Sequence, residues 1–98
     1  MIISFRDRGT EDIFNGVDSQ QARNACPQPT WPIARRKLAA LDAAVSLNDL
    51  RVPYGNRLHL LKKERAGQHA IRINDQHRVC FWWTEAGAED VEITDYHD

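Results

Sequence analysis

Gln68-His-Ala-Ile-Arg-Ile-Asn-Asp-Gln-His-Arg-Val-Cys-Phe-Trp-Trp83 is the stretch whose reading decides the fold. His69, Ile71 and Ile73 alternate with Gln68, Ala70, Arg72 and Asn74, the period-two pattern of a strand with one buried face. Asn74-Asp75-Gln76 makes a tight connection, after which Val79, Phe81 and Trp83 alternate with Arg78, Cys80 and Trp82. A second turn over residues 84–89, holding Gly87, leads to Val91 and Ile93 alternating with Glu92, Thr94 and Tyr96. Short turns between such segments specify an antiparallel meander. Leu58, Leu60 and Leu61 predict one more strand ahead of it.

Towards the N-terminus the periodicity changes. Ile2, Ile3 and Phe5 suggest a first strand, and a short helix follows from about Asp7 or Thr10 to Asn15, stopped by Gly16. Residues 16–30 are polar and end in a loop with Pro27 and Pro29, with a piece of helix around residues 19–24. A second helix is capped by Thr30, has Pro32 in its first turn, and carries Ala34, Leu38, Leu41 and Val45 on one face. Arg35, Arg36 and Lys37 fall mostly off that face. Ser46 and Asn48 end the pattern, and Pro53-Tyr54-Gly55-Asn56 is a turn cluster. Helices early and strands late predict an α+β domain, with two N-terminal helices packed on one face of a small antiparallel sheet. Strand parity then points Val79, Phe81, Trp83, Val91 and Ile93 at the helices. Arg72, Arg78, Trp82 and Tyr96 face the other way, onto an open surface.

The 98 residues suit a single domain over residues 1–98, and the shares of hydrophobic (42%) and charged (28%) residues are those of an ordinary globular chain. No apolar run approaches the ~20 residues that span a bilayer, and the polar start resembles no export signal, so the cytoplasm is the expected location. Cys26 and Cys80 lie far apart and fit no four-ligand zinc pattern; reduced thiols are expected. Net charge is −1, but it is segregated. Residues 51–78 carry Arg51, Arg57, Lys62, Lys63, Arg65, Arg72 and Arg78 against Glu64 and Asp75, whereas no Lys or Arg follows Thr84. Phosphate binding depends on local positive density, so the central block suits a polyanion.

Histidines at 59 and 97, Tyr96, Lys62 and Arg78 have the makings of a site that cleaves RNA without a metal. Such cleavage needs a base for the 2′-hydroxyl, cations for the developing phosphorane charge, and an acid for the leaving 5′-oxygen. Trp82 or Tyr54 could stack on splayed bases. No phosphate loop, HExxH or Ser-His-Asp pattern is present.

The residues carry a resemblance as well. Ile3-Ser-Phe-Arg6, Lys37-Leu-Ala-Ala-Leu-Asp-Ala-Ala-Val-Ser46 and Gly55-Asn-Arg-Leu-His-Leu-Leu-Lys62 are similar to the HigB group of the RelE/ParE toxin superfamily. So are Gly67-Gln-His-Ala-Ile-Arg-Ile-Asn-Asp-Gln-His-Arg-Val-Cys-Phe81 and Val91-Glu-Ile-Thr-Asp-Tyr-His97. The likeness runs over nearly the whole chain and is weakest at residues 18–32. The chain departs from the group at Lys63-Glu64, usually Gly-Asp, at His69, usually aromatic, and at His77, usually tryptophan. Many relatives have another residue, glutamate among them, at the position of His59.

The resemblance implies a RelE-like microbial RNase fold and the toxin of a type II toxin–antitoxin pair. It implies an endoribonuclease that cuts mRNA on the translating ribosome, is neutralised by a HigA-type helix-turn-helix antitoxin, and meets operator DNA only through that antitoxin. The family's metal-free, cofactor-free site falls on His59, Lys62, Arg78, Tyr96 and His97, and Lys63, Arg65, Arg72, Trp82 and Asp95 are expected along the RNA path. Two other functions fit the same fold: a ParE-like toxin that poisons DNA gyrase by binding, and a degenerate toxin that only binds its antitoxin.

Overall fold

In a computed structural model, residues 1–95 are described. Three helices precede a four-stranded antiparallel sheet: α1 (Arg8–Asn15), α2 (Gln20–Ala25), α3 (Trp31–Ala43), β1 (His59–Leu60), β2 (His69–Arg72), β3 (Arg78–Trp83) and β4 (Ala88–Thr94). The strands lie in chain order, with short turns from β2 to β3 and from β3 to β4 and a longer loop over residues 61–68 between β1 and β2.

Local chemistry sets the helix ends. The Asp7 carboxylate accepts from Thr10 N at 2.7 Å to start α1, and Gly16, left-handed at φ 76°, stops it. Ser19 Oγ accepts from Ala22 N at 3.0 Å to start α2 and donates to Asp12 Oδ2 at 2.6 Å, which ties the two short helices together. Thr30 does not cap α3 with its side chain. A 3-10 turn over Gln28–Thr30 runs straight into the helix, so Thr30 already has helical φ and ψ. The entry is fixed instead by Trp31, whose buried Nε1 donates to Cys26 O at 2.9 Å. Val45 is also displaced from the expected apolar face. The helix ends at Ala43, the chain turns extended at Ala44, and Val45 is 91% exposed while Ala44 is buried.

Trp31, Ala34, Leu38 and Leu41 of α3 meet Ile71, Val79, Phe81, Val91 and Ile93 of the sheet, with Ile13 of α1 closing the core. Fully burying each large aliphatic or aromatic side chain contributes roughly 1.5–3 kcal/mol. Trp83 packs edge-on to Phe81, and the His69 ring stacks on Phe81 with ring centroids 6.2 Å apart. The N-terminal segment forms no regular strand. It lies parallel to β4 through the Ile2–Ala88 and Phe5–Val91 bridges, held by Ile3 N to Ala88 O (2.7 Å) and Arg6 N to Val91 O (3.0 Å).

The second face of the sheet is only partly open. Leu61, Ala70 and Cys80 bury a small cluster of their own, because the chain between β1 and β2 folds back over it. Arg65 pairs with Glu92 at 2.9 Å, and the Trp82 ring lies so close over Gly67 that a Cβ there would sit 2.6 Å from Cζ3. Strand parity places Trp82 on this face, as found, but does not show that the chain roofs itself, and Arg72, expected on the open face, instead lines a hollow beside α3. Cys26 and Cys80 are both buried, and burial pushes the Cys26 thiol up to about 11. No helix among the described residues is long and apolar enough to cross a membrane.

Candidate functional site

The site is organised by Asn56, a fully buried polar side chain in the turn before β1. Its Nδ2 donates to Leu50 O at 3.2 Å and Val52 O at 3.4 Å, and its Oδ1 accepts from Lys37 Nζ of α3. These bonds pin the 3-10 turn Tyr54–Asn56 against the helix and leave Tyr54 90% exposed at its crest. Arg57 follows in the left-handed region at φ 49°, which redirects the chain into β1.

His59 is held from below. Its Nδ1 lies 2.7 Å from Arg57 O, and a carbonyl can only accept, so Nδ1 carries the proton. In the neutral ring Nε2 is then the basic nitrogen. Arg78, at the start of β3, donates through Nη1 to Asn74 O (2.6 Å) and His77 O (3.1 Å). Both bonds use the same nitrogen, so the guanidinium is fixed in place with Nε and Nη2 still able to grip an anion. His59 and Arg78, from two different strands, line one hollow of about 460 Å³ with Tyr54, Arg57 and Leu58. Among the described residues no carboxylate lines it. A histidine base beside two guanidiniums and an exposed aromatic can take a proton, hold a phosphate and stack on a base.

The other expected residues are dispersed. Lys62 and Lys63 are exposed at the start of the loop over the second face and do not line this hollow. Arg65 is half-buried against Glu92, and Trp82 is 39% exposed above Gly67. Arg72 pairs with Asp75 and lines a second hollow with Arg36 and Lys37. Asp95 accepts from Gln76 Nε2 at 3.1 Å and lines a separate hollow with Asp7, Arg8 and His77. Tyr96 and His97 lie outside the described residues. Among the described residues no three His, Cys, Asp or Glu side chains converge as metal ligands. The residues that sequence reasoning undervalued are Arg57 and Tyr54. Their signal was the Pro-Tyr-Gly-Asn turn directly ahead of the histidine strand, which places both beside it.

Two histidines outside the hollow, buried His77 and half-buried His69, each have a buried Nδ1 with no hydrogen-bond partner among the described residues. Burial lowers the pKa of His69, and the nearby His59 and Arg51 lower it further. The shift favours the neutral form of the ring, which stacks on Phe81.

A family model described as the RelE-like toxin of the type II toxin–antitoxin system HigB matches residues 3–97. Toxin HigB-1 of Vibrio cholerae is 33% identical over 88 residues, covering 90% of each chain. An uncharacterized protein of Haemophilus influenzae is 34% identical over 77 residues, 79% of this chain and 73% of that one. With a family match across nearly its whole length, and a relative one-third identical over nine-tenths of both chains, this chain belongs to the HigB-like, RelE-like toxins of type II toxin–antitoxin systems.

Proposed function

We propose that the chain is an endoribonuclease that cuts mRNA on the translating ribosome. The observation that carries this reading is the hollow in which His59 and Arg78 meet Arg57 and Tyr54. His59 Nε2 takes the proton of a 2′-hydroxyl, whose oxygen attacks the adjacent phosphorus and forms a 2′,3′-cyclic phosphate as the 5′-oxygen leaves. Arg78 and Arg57 hold the charge that builds on the phosphoryl oxygens, where a fixed donor is worth more than mobile water. Lys62 adds positive potential from the loop above. Tyr96 and His97 follow Thr94, the register partner of Arg78, along the chain and are the proposed source of the proton for the leaving oxygen. Lys63, Arg65, Arg72, Trp82 and Asp95 are proposed along the RNA path, with Arg65 already paired to Glu92 and Arg72 to Asp75.

A HigA-type helix-turn-helix antitoxin is the proposed partner, with operator DNA reached only through it, and the cytoplasm is the proposed location. Expression of the chain followed by mapping of mRNA 5′ ends tests the reading. Cuts within codons that vanish when translation is blocked are expected. An SOS response with intact mRNA would overturn it in favour of gyrase poisoning, and growth arrest with neither would leave binding alone.

A further inference from the structure

A second hollow, of about 390 Å³, lies on the other side of the turn that walls the first. Tyr54, Arg57 and Leu58 line one side of that wall, and Pro53, Gly55 and Asn56 the other. Three cations converge in the second hollow: Arg36 and Lys37 from α3, and Arg72 from β2. No carboxylate lines it among the described residues, and Asp75 on Arg72 is the one acid there ion-paired with the trio. Like charges held this close, with Lys37 half-buried, repel one another; burial, Arg36 and Arg72 all lower the Lys37 pKa. A bound anion relieves that repulsion.

The two hollows are joined by one rung of the sheet. Arg72 and Arg78 are direct register partners between β2 and β3, and one lines each hollow. Between them the wall carries Gly55, exposed beside Tyr54, and apart from its chain neighbours nothing lies within 4 Å of where a Cβ would be. A single strand can therefore pass over Gly55 from one group of cations to the other. We propose that the Arg36–Lys37–Arg72 hollow is a second phosphate subsite, seating an RNA phosphate neighbouring the one gripped by Arg78. The proposal rests on the reading of the chain as an RNA-cleaving toxin.

The test is titration of the full chain with a short single-stranded RNA bearing 2′-O-methyl groups, which cannot be cut, at several salt concentrations. Losing one single-strand phosphate contact lowers the slope of log affinity against log salt by about 0.7, so from about 50 to 200 mM salt the wild-type advantage shrinks about 2.6-fold. Arg36→Gln is expected to show that change with an unaltered melting temperature, since Arg36 is exposed on the helix. Gly55→Asp, which meets no steric obstacle, is expected to weaken binding as well by setting a carboxylate on the crest. Arg23→Gln, an exposed cation on α2, is the control and should leave the slope unchanged. If Arg78→Gln lowers the slope and Arg36→Gln does not, the second subsite is wrong and the catalytic reading stands. An equal loss in Arg23→Gln overturns the subsite as mere surface charge. If Arg36→Gln spares RNA binding but weakens the antitoxin complex, the hollow takes an acidic peptide and the proposal falls. If the wild type neither binds this RNA nor cuts mRNA, the proposed function itself fails and takes the subsite with it.

Discussion

Replacing Asn56 by alanine should be among the most damaging single changes outside the apolar core. The side chain is fully buried and makes three hydrogen bonds, two to backbone carbonyls and one from a lysine. Leu50 is itself buried, so its carbonyl loses its donor with no water to replace it, at a cost of about 1–3 kcal/mol. The Val52 carbonyl belongs to an exposed residue and recovers most of its bond from solvent. Lys37 can swing into the neighbouring hollow, so its share is about 1 kcal/mol. The sum is about 2–4 kcal/mol, which at a urea slope of roughly 1.5 kcal/mol/M lowers the midpoint by about 1.3–2.7 M. Asn56→Asp separates the contributions. It keeps an acceptor for Lys37 but turns a carboxylate oxygen towards the Leu50 carbonyl, so it should be no less destabilising than the alanine variant. Urea unfolding followed by far-UV circular dichroism measures both. A midpoint within about 0.3 M of wild type for Asn56→Ala would refute the claim that this side chain pins the turn. Below the unfolding range the alanine variant should also cut mRNA poorly, because Tyr54 and Arg57 ride on that turn.

His59→Ala should slow cleavage about 10²–10⁴-fold while leaving unfolding unchanged; a rate within threefold of wild type removes His59 from the base role. Arg78→Lys keeps the charge but not the planar fork, and a loss of about 10²-fold in kcat is expected from analogy with a single lost oxyanion donor; full activity would mean that charge alone suffices there. The folded-state pKa of His69 is depressed, so below the ordinary histidine value the unfolded chain binds the proton first and stability falls as pH drops through that window. His69→Phe, which keeps the stack on Phe81, should remove that part of the slope below the ordinary histidine value of about 6.5, and an unchanged pH–stability curve would count against a neutral, half-buried imidazole. Gly67→Ala, at φ +96° with its Cβ 2.6 Å from the Trp82 ring, should cost about 1–3 kcal/mol and shift the tryptophan emission; a silent substitution would mean that the ring is not seated there.

Much of the fold was legible because its decisive signals are local. Alternation in residues 68–83 marks two strands and the turn between them, and Asp7 and Gly16 bracket α1 at both ends. Where the reading failed, either a neighbouring signal overrode the one that was read or the cause lay far along the chain. Thr30 has a capping side chain, but the two prolines before it wind the chain into a 3-10 turn that reaches helical geometry first. Val45 continues the helical period on paper, but Asp49 draws Val45 N and Ser46 N out of the helix by accepting from both. The N-terminal apolar residues pair with β4 in parallel, a contact across more than eighty residues that no short window contains.

The site divides along the same line. Arg78 and His59 stand out in sequence because each interrupts an apolar strand, and a polar residue in such a place needs a partner or a surface. Charge counting served less well, because it cannot say which cations are already satisfied. The run from Arg51 to Arg78 looks nearly unopposed, but Glu92, from the acidic end of the chain, reaches back to Arg65, and Asp75 takes Arg72. Meanwhile Arg36 and Lys37, which look like ordinary solvated charge on a helix, are brought beside Arg72 by the buried amide of Asn56. The cationic surface that results is therefore smaller than the basic block at its Arg65 end and larger at its Arg72 end. A nucleic acid following unpaired charge would run from Arg57 and Arg78 towards α3, away from the Arg65–Glu92 clip. That direction is a property of the folded turn, and the Arg36→Gln salt slope measures it directly.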